Sequence, residues 1–207
     1  MEKDIFLIRH SEQLKIKDTK KYDISDQINN EKIILSVNGE ILAREISELQ
    51  VMQNINMVWS SNYVRALETA KYIAEKNNIE INVDSRLNER KLGDLEKLRE
   101  LGKNKQDSYT NEQLRDIYLK NVGGESNEEV SERMELFLKD VINNDSRKVA
   151  VISHGASIKF WLSRYCKIDD QCQLRYNNQL LYVSSPSIFD IKIKNREIID
   201  IKQIYRR

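Results

Sequence analysis

Proline occurs once and glycine six times in this 207-residue chain. That excludes a linker of either the stiff or the flexible kind, and one domain over 1–207 is expected. Cysteine occurs twice, at Cys166 and Cys172. Two thiols cannot build a disulfide framework, and no second pair stands ready as metal ligands, so a reduced, cytoplasmic protein is expected. No apolar stretch approaches a membrane-spanning length, and no apolar leader follows Met1. The basic residues number 34 and the acidic ones 33, for a net charge of +1. This balance excludes a globally basic surface for nucleic acid or anionic lipid. Any anion must therefore meet a local cluster. Internal repeats and low-complexity tracts are absent as well.

What is there alternates between two periods. IFLI at 5–8, MVWSS at 57–61, INV at 81–83 and KVAVIS at 148–153 read as strands, the first and last buried on both faces. A helix is expected from an N-cap at Ser36, turning Val37, Ile41, Ile46 and Leu49 to the core. A second runs from Asn62 to about Lys76, with Val64, Leu67, Ala70 and Ala74 on one stripe. Ser126 and Glu129 form the pattern of a capping box. It opens a helix that buries Val130, Met134, Phe137 and Val141. ASIKFWLSRY reads as another helix, and Trp59 and Trp161 as core. The tail IFDIKIKNREIIDIKQI alternates apolar and polar about a turn near Asn195, the pattern of a hairpin. The sum is an α/β fold: a mostly parallel central sheet with helices on both faces and a C-terminal β-hairpin. The charged stretch at about 90–122 reads as a lid-like excursion from that core.

The chain has two histidines, and each stands just past a buried strand: IFLIR-His10 and KVAVIS-His154. Ligands of open α/β sheets bind at the carboxyl ends of parallel strands, so two such histidines meet if their strands are neighbours. Metal binding is disfavoured because Arg9, a permanent cation, adjoins His10. A guanidinium beside an imidazole suits a phosphoryl group. A Ser-His-Asp triad lacks its G-x-S-x-G elbow.

IRHSE at 8–12, LSVNGEILA at 35–43, SSNYVRALETA at 60–70, DSRLNERKLGDLE at 84–96, GGES at 123–126 and SHG at 153–155 follow one another along almost the whole chain. In this order they resemble the histidine phosphatase (phosphoglycerate mutase-like) superfamily. The resemblance implies a phosphohistidine mechanism without metal or organic cofactor. His10 would be the nucleophile. Arg9, Arg65 and a protonated His154 would hold the phosphoryl oxygens, with Ser11 and Gly155 at the same site. Glu89 would be the acid and then the base. Glu12 and Glu125 are other carboxylates near the motifs, and Glu89 could instead pair with Arg86 or Arg90.

The chain departs from the family pattern in three places. Ser11 replaces a glycine, which narrows the pocket or adds a hydroxyl donor to phosphate. Gln13 and Ile16 replace a threonine and an asparagine. The expected activity is that of a histidine acid phosphatase-type phosphomonoesterase acting on a small phosphorylated metabolite. The runner-up is a cofactor-dependent phosphoglycerate mutase, disfavoured because Leu92 stands in a tyrosine position and a basic insertion is missing. A phosphoprotein phosphatase and a non-catalytic phospholigand-binding regulator are further alternatives. Specificity is expected in 90–122 and in the 11–32 loop. Oligomeric state is not legible.

Overall fold

Every residue of the IFLI run is buried to within 2%, so the strand that carries it must be covered on both faces. In the computed structural model, which describes residues 2–15, 27–94 and 106–207, it lies in β1 (Glu2–Arg9). Ile16 and the middle parts of the 11–32 loop and of the 90–122 excursion lie outside the described residues. Strands β2 (Met57–Ser60), β3 (Ile81–Val83) and β4 (Lys148–Ser153) follow the expected runs. The β8 (Ser187–Lys194) and β9 (Glu197–Arg206) pair closes the chain. The six strands form one sheet in the order β3-β2-β4-β1-β8-β9. β1 through β4 run parallel, and β8 and β9 join antiparallel. The hairpin turns at Asn195 and Arg196, both at positive φ, as a two-residue loop between twisted strands requires.

Strand alternation divides the core. Ile5, Leu7, Val149 and Val151 face one side and pack on α5 (Asn127–Asn143) and α6 (Gly155–Ser163) through Val130, Met134, Phe137, Ile158 and Trp161. Phe6, Ile8, Ala150 and Ile152 face the other side and meet α2 (Val37–Ser47) and α3 (Val64–Asn77) through Ile46, Ala66, Ala70 and Ile73. Helix starts are fixed by side chains. Ser36 accepts from the Gly39 amide, and Ser126 and Glu129 close a reciprocal box.

Two helices present a different face from the one expected. In α2, Val37 is 82% exposed and Ile41 53%, while Gly39, Leu42, Ala43 and Ile46 are buried. The cause is a close approach. A Cβ on Gly39 would fall 2.0 Å from the Glu12 carbonyl oxygen, so the small face of the helix meets the chain. In α3, Arg65, Ala66, Thr69, Ala70, Ile73 and Ala74 are buried while Val64 and Leu67 are only half-buried. There the helix is rotated to carry Arg65 and Thr69 inward.

A second sheet was not expected from the sequence. β5 (Lys167–Ile168), β6 (Leu174–Tyr176) and β7 (Gln179–Leu181) form a three-stranded antiparallel sheet. Its β6–β7 turn uses Asn177 and Asn178, both at positive φ. Of the 90–122 excursion, α4 (Gln106–Arg115) is described, and its Leu114 belongs to the same core as Trp161. The short helix α1 (Gln27–Glu31) follows the 11–32 loop. Among the described residues, no helix is long and apolar enough to cross a membrane.

Candidate active site

β1 and β4 are parallel neighbours with Arg9 level with Ser153. The register continues one step further, since the His10 amide donates to the Ser153 carbonyl at 3.0 Å. The next residue on each strand is a histidine, and the two rings stand 5.0 Å apart between centroids. β2 pairs with the other edge of β4 and runs through Ser61 into α3, which delivers Arg65 to the same rim. Three adjacent strand ends thus supply the site.

His10 is buried, and its Nδ1 lies 2.7 Å from the Ser11 carbonyl oxygen. A carbonyl only accepts, so Nδ1 carries the proton and Nε2 keeps its lone pair. The Arg65 Nε–H donates to that lone pair at 3.2 Å. Burial first, then the Arg65 and Arg9 charges, hold the His10 pKa well below that of a free histidine. The ring is therefore held neutral, with its unprotonated nitrogen turned to the guanidinium, the state in which an imidazole can act as a nucleophile.

His154 is fully buried, and its Nε2 meets the Ser61 hydroxyl at 2.6 Å. The same hydroxyl oxygen accepts from the Tyr63 amide at 3.3 Å. Among the described residues Nε2 is the one acceptor the Ser61 hydroxyl reaches, so its proton points there, which leaves the proton of the neutral ring on Nδ1. That nitrogen is buried with no hydrogen-bond partner. A buried donor left unsatisfied costs free energy until an acceptor arrives, and a phosphoryl oxygen is such an acceptor. The expectation of a protonated His154 concerns the site with a phosphoryl group bound. Burial first, then Arg65, His10, Arg9 and Arg133, push its pKa well below the ordinary histidine value. In the anion-free site the ring is thereby held neutral.

The two arginines are held by main-chain carbonyls. Arg65 Nη1 donates to Asn30 at 2.6 Å, with its guanidinium carbon 4.9 Å from the Tyr63 ring centroid. Arg9 Nη1 donates to Val183 at 2.6 Å. Gly155 makes room for Arg9: a Cβ there would lie 2.9 Å from the guanidinium carbon. Ser11 is buried, and its hydroxyl donates to the Gly39 carbonyl at 2.7 Å. The hydroxyl is thus committed to the α2 side, and Ser11 serves the site through its backbone. Its carbonyl orients His10, and its amide donates to Thr69 Oγ1 at 2.9 Å. Gln13 lies in an isolated bridge to Leu35.

Glu89 sits over the N-terminus of α6. Its carboxylate accepts from the amides of Ala156 at 3.3 Å, Ser157 at 3.2 Å and Arg90 at 2.8 Å. The competing pairings are resolved. Arg86 is engaged by Asp84 and Asp140. Among the described residues neither Arg86 nor Arg90 forms an ion pair with Glu89. Glu12 is bound by Ser36 and Arg207, and Glu125 by Arg133. Among the described residues Glu89 is the carboxylate lining a cavity of about 350 Å³ that opens beside Arg9. The arrangement offers a nucleophile, anion donors from several directions, and a carboxylate on the wall where a leaving group would sit.

Sequence reading missed four supports of this site. Ser61 and Thr69 stood as fixed letters of a quoted motif but were given no role. Asn30 acts through its carbonyl, which no side-chain pattern reveals. Ser185 donates to the His10 carbonyl at 2.7 Å from a loop with no recognised motif.

Solved structures of low identity share the fold. A mycobacterial glucosyl-3-phosphoglycerate phosphatase aligns with a TM-score of 0.67 at 18% identity, over 99% of this chain and 98% of its own. A phosphoserine phosphatase from Entamoeba histolytica, complexed with phosphoserine, aligns at 0.58 and 19%, over 98% and 95%. A protein histidine phosphatase complexed with tungstate aligns at 0.54 and 14%, over 91% and 86%. No curated protein sequence matches the chain. The family model of the histidine phosphatase superfamily (branch 1) runs along residues 5–192, from the strand that delivers His10 into the hairpin that flanks it, and the chain belongs to that superfamily.

Proposed function

We propose that the protein is a metal-independent phosphomonoester phosphatase of small metabolites, working as one domain through a phosphohistidine at His10. The observation that carries this reading is the His10 tautomer. Nδ1 is tied to a main-chain carbonyl 2.7 Å away, and Nε2 keeps the lone pair for attack, held by the Arg65 Nε–H at 3.2 Å until an arriving phosphoryl group takes that donor. In the first step Nε2 attacks phosphorus in line, and the bond from phosphorus to the ester oxygen breaks. The leaving alkoxide takes a proton from Glu89 and departs as the alcohol. In the second step Glu89 accepts a proton from water, whose oxygen attacks phosphorus. The P–N bond breaks, and His10 and inorganic phosphate are restored.

Arg9, Arg65 and the Nδ1–H of His154 stabilise charge on the phosphoryl oxygens throughout. Each preorganised donor of this kind contributes about 3 kcal/mol to the barrier reduction. Phosphatase relatives of the same fold support hydrolysis as the outcome.

The test is hydrolysis of p-nitrophenyl phosphate in EDTA, with quenching in alkaline detergent to trap a phosphoenzyme. Turnover with an acid-labile, alkali-stable phosphoenzyme, both lost in His10→Ala, is the expected result. Turnover that survives His10→Ala would end the proposal.

A further inference from the structure

α6 starts without a side-chain cap of its own. His154 stands at its N-cap and, among the described residues, makes no side-chain capping bond. Its ring is turned to Ser61 instead. The first amides of a helix need acceptors from outside its ladder, and Glu89 supplies them from another segment. The two carboxylate oxygens are engaged unequally. Oε1 accepts from the Arg90 amide at 2.8 Å and from the Ser157 amide at 3.2 Å, which occupies both of its lone pairs. Among the described residues, Oε2 accepts from the Ala156 amide alone, at 3.3 Å. Oε1 is the anchored oxygen, and Oε2 is the one with a lone pair left for a proton.

Ser157 adds a second hold on the same residue. Glu89, Gly155 and Ala156 line the cavity, and Ser157 lies behind them, fully buried. Its hydroxyl donates to the Asn88 main-chain carbonyl at 2.8 Å and lies 3.3 Å from Glu89 Oε1. A hydroxyl has one proton, so the shorter contact dominates and the longer one shares it. The Asn88 carbonyl belongs to the peptide group that carries Glu89. Ser157 therefore grips Glu89 at both ends, at the peptide where its backbone begins and at the carboxylate where its side chain stops.

We infer that Ser157 is a positioning residue for proton transfer, holding Glu89 so that Oε2 faces the leaving oxygen. This rests on the phosphatase reading, in which Glu89 is the acid. As the bond from phosphorus to the ester oxygen breaks, its electron pair stays on that oxygen, which takes the proton from Oε2. In the second step Oε2 takes a proton back from the attacking water. The turn of α6 that carries Ser157 also begins at His154. One helical turn thus sets the distance between the phosphoryl group and the proton that its leaving group needs.

A misplaced acid slows only the departure of groups that need a proton, whereas a structural defect slows all of them alike. The test compares phenyl phosphate, which releases a basic phenolate, with 2,4-dinitrophenyl phosphate, whose phenolate leaves unprotonated. The readout is kcat/KM, which reports the reaction up to the phosphoenzyme, in wild type, Ser157→Ala and Glu89→Gln. The ratio of dinitrophenyl to phenyl kcat/KM should rise by about 10-fold or more in Ser157→Ala, and further in Glu89→Gln. If Ser157→Ala does not fold, Ser157→Cys, of similar shape but a weak donor, is read in the same way.

Because the readout is a ratio within one protein, a smaller folded fraction or a weaker hold on phosphate cancels. A ratio unchanged at position 157 while it rises in Glu89→Gln overturns the inference and keeps Glu89 as the acid. A ratio unchanged in both variants removes Glu89 from proton transfer, and the inference falls with that part of the phosphatase reading.

Discussion

At the scale of single residues, the site depends on which nitrogen carries which proton. Ser61 decides this for His154. Its hydroxyl takes the Tyr63 amide and gives its proton to Nε2, so the ring can donate from Nδ1. Ser61→Ala removes that instruction and frees the ring to hold its proton on either nitrogen. A loss of roughly tenfold in kcat/KM is expected, with Ser61→Thr restoring most of it because the hydroxyl returns. Equal activity in the alanine and wild-type proteins would show that the anion itself selects the tautomer.

Ser11 makes the opposite case. It departs from the family's glycine, but its hydroxyl is spent on the Gly39 carbonyl. Ser11→Gly should keep activity within about threefold and lower stability by about 1 kcal/mol, the net worth of one buried hydrogen bond. Parallel p-nitrophenyl phosphate kinetics and urea unfolding separate the two effects. A large loss of activity would return the hydroxyl to the phosphate.

At the scale of elements, backbone proximity does work that composition hides. The first residue of α6 is a glycine, and the Arg9 guanidinium lies where a Cβ at that position would stand. Gly155→Ala would push the clamp outward while leaving a helix start that alanine tolerates. The expected effect is a fall in kcat/KM on the order of 10-fold to 100-fold with an unchanged melting temperature, since small misplacements of a positioning group are costly. Kinetics and thermal unfolding of the one variant check this.

The same contrast explains what the sequence could and could not reveal. β1 and β4 were legible because a strand buried on both faces must be uniformly apolar. The Ser126 box was legible because its two side chains are local partners. The faces of α2 and α3 were not. Apolar periodicity assigns Val37 and Val64 inward, whereas a carbonyl packed against Gly39 and a buried arginine at position 65 turn both helices away from that pattern. The β5–β7 sheet escaped because its strands run two to three residues each. Only the pair Asn177-Asn178, suited to positive φ, announced it. His10, Arg9, Arg65, Glu89 and His154 were all named from sequence, and the structure brings the first four and the last to one rim and its adjoining cavity. Their hydrogen-bonding partners were not named, because several act through main-chain atoms.

At the scale of the whole molecule, the two histidines tie stability to pH. Both are buried, and both have folded-state pKa values well below the ordinary value of 6.5. The folded state therefore keeps them neutral while the unfolded chain protonates them. Their contribution is fully present above about pH 6.5 and is lost as pH falls below it, because the unfolded state then binds more protons. Each histidine adds a slope approaching about 1.4 kcal/mol per pH unit, so two give about 2.7. Asp84, Glu12, Glu129 and Asp169 have depressed values too, but from starting points of 3.8 to 4.5. Their contributions are lost at lower pH, and Asp190, raised by burial, works in the opposite sense to the histidines as acid reaches it, so the histidine slope is an upper limit between pH 6 and pH 5. Urea unfolding across that interval should show stability falling with acid, and His154→Gln should halve the slope whatever it does to stability at pH 8. Saturating phosphate should flatten the slope further in the wild type, since a bound anion favours the protonated rings and stabilises the folded state by mass action. A stability that stays level from pH 7 to pH 5 would mean that the rings are not held neutral, and the tautomer argument for His10 as nucleophile would lose its physical basis.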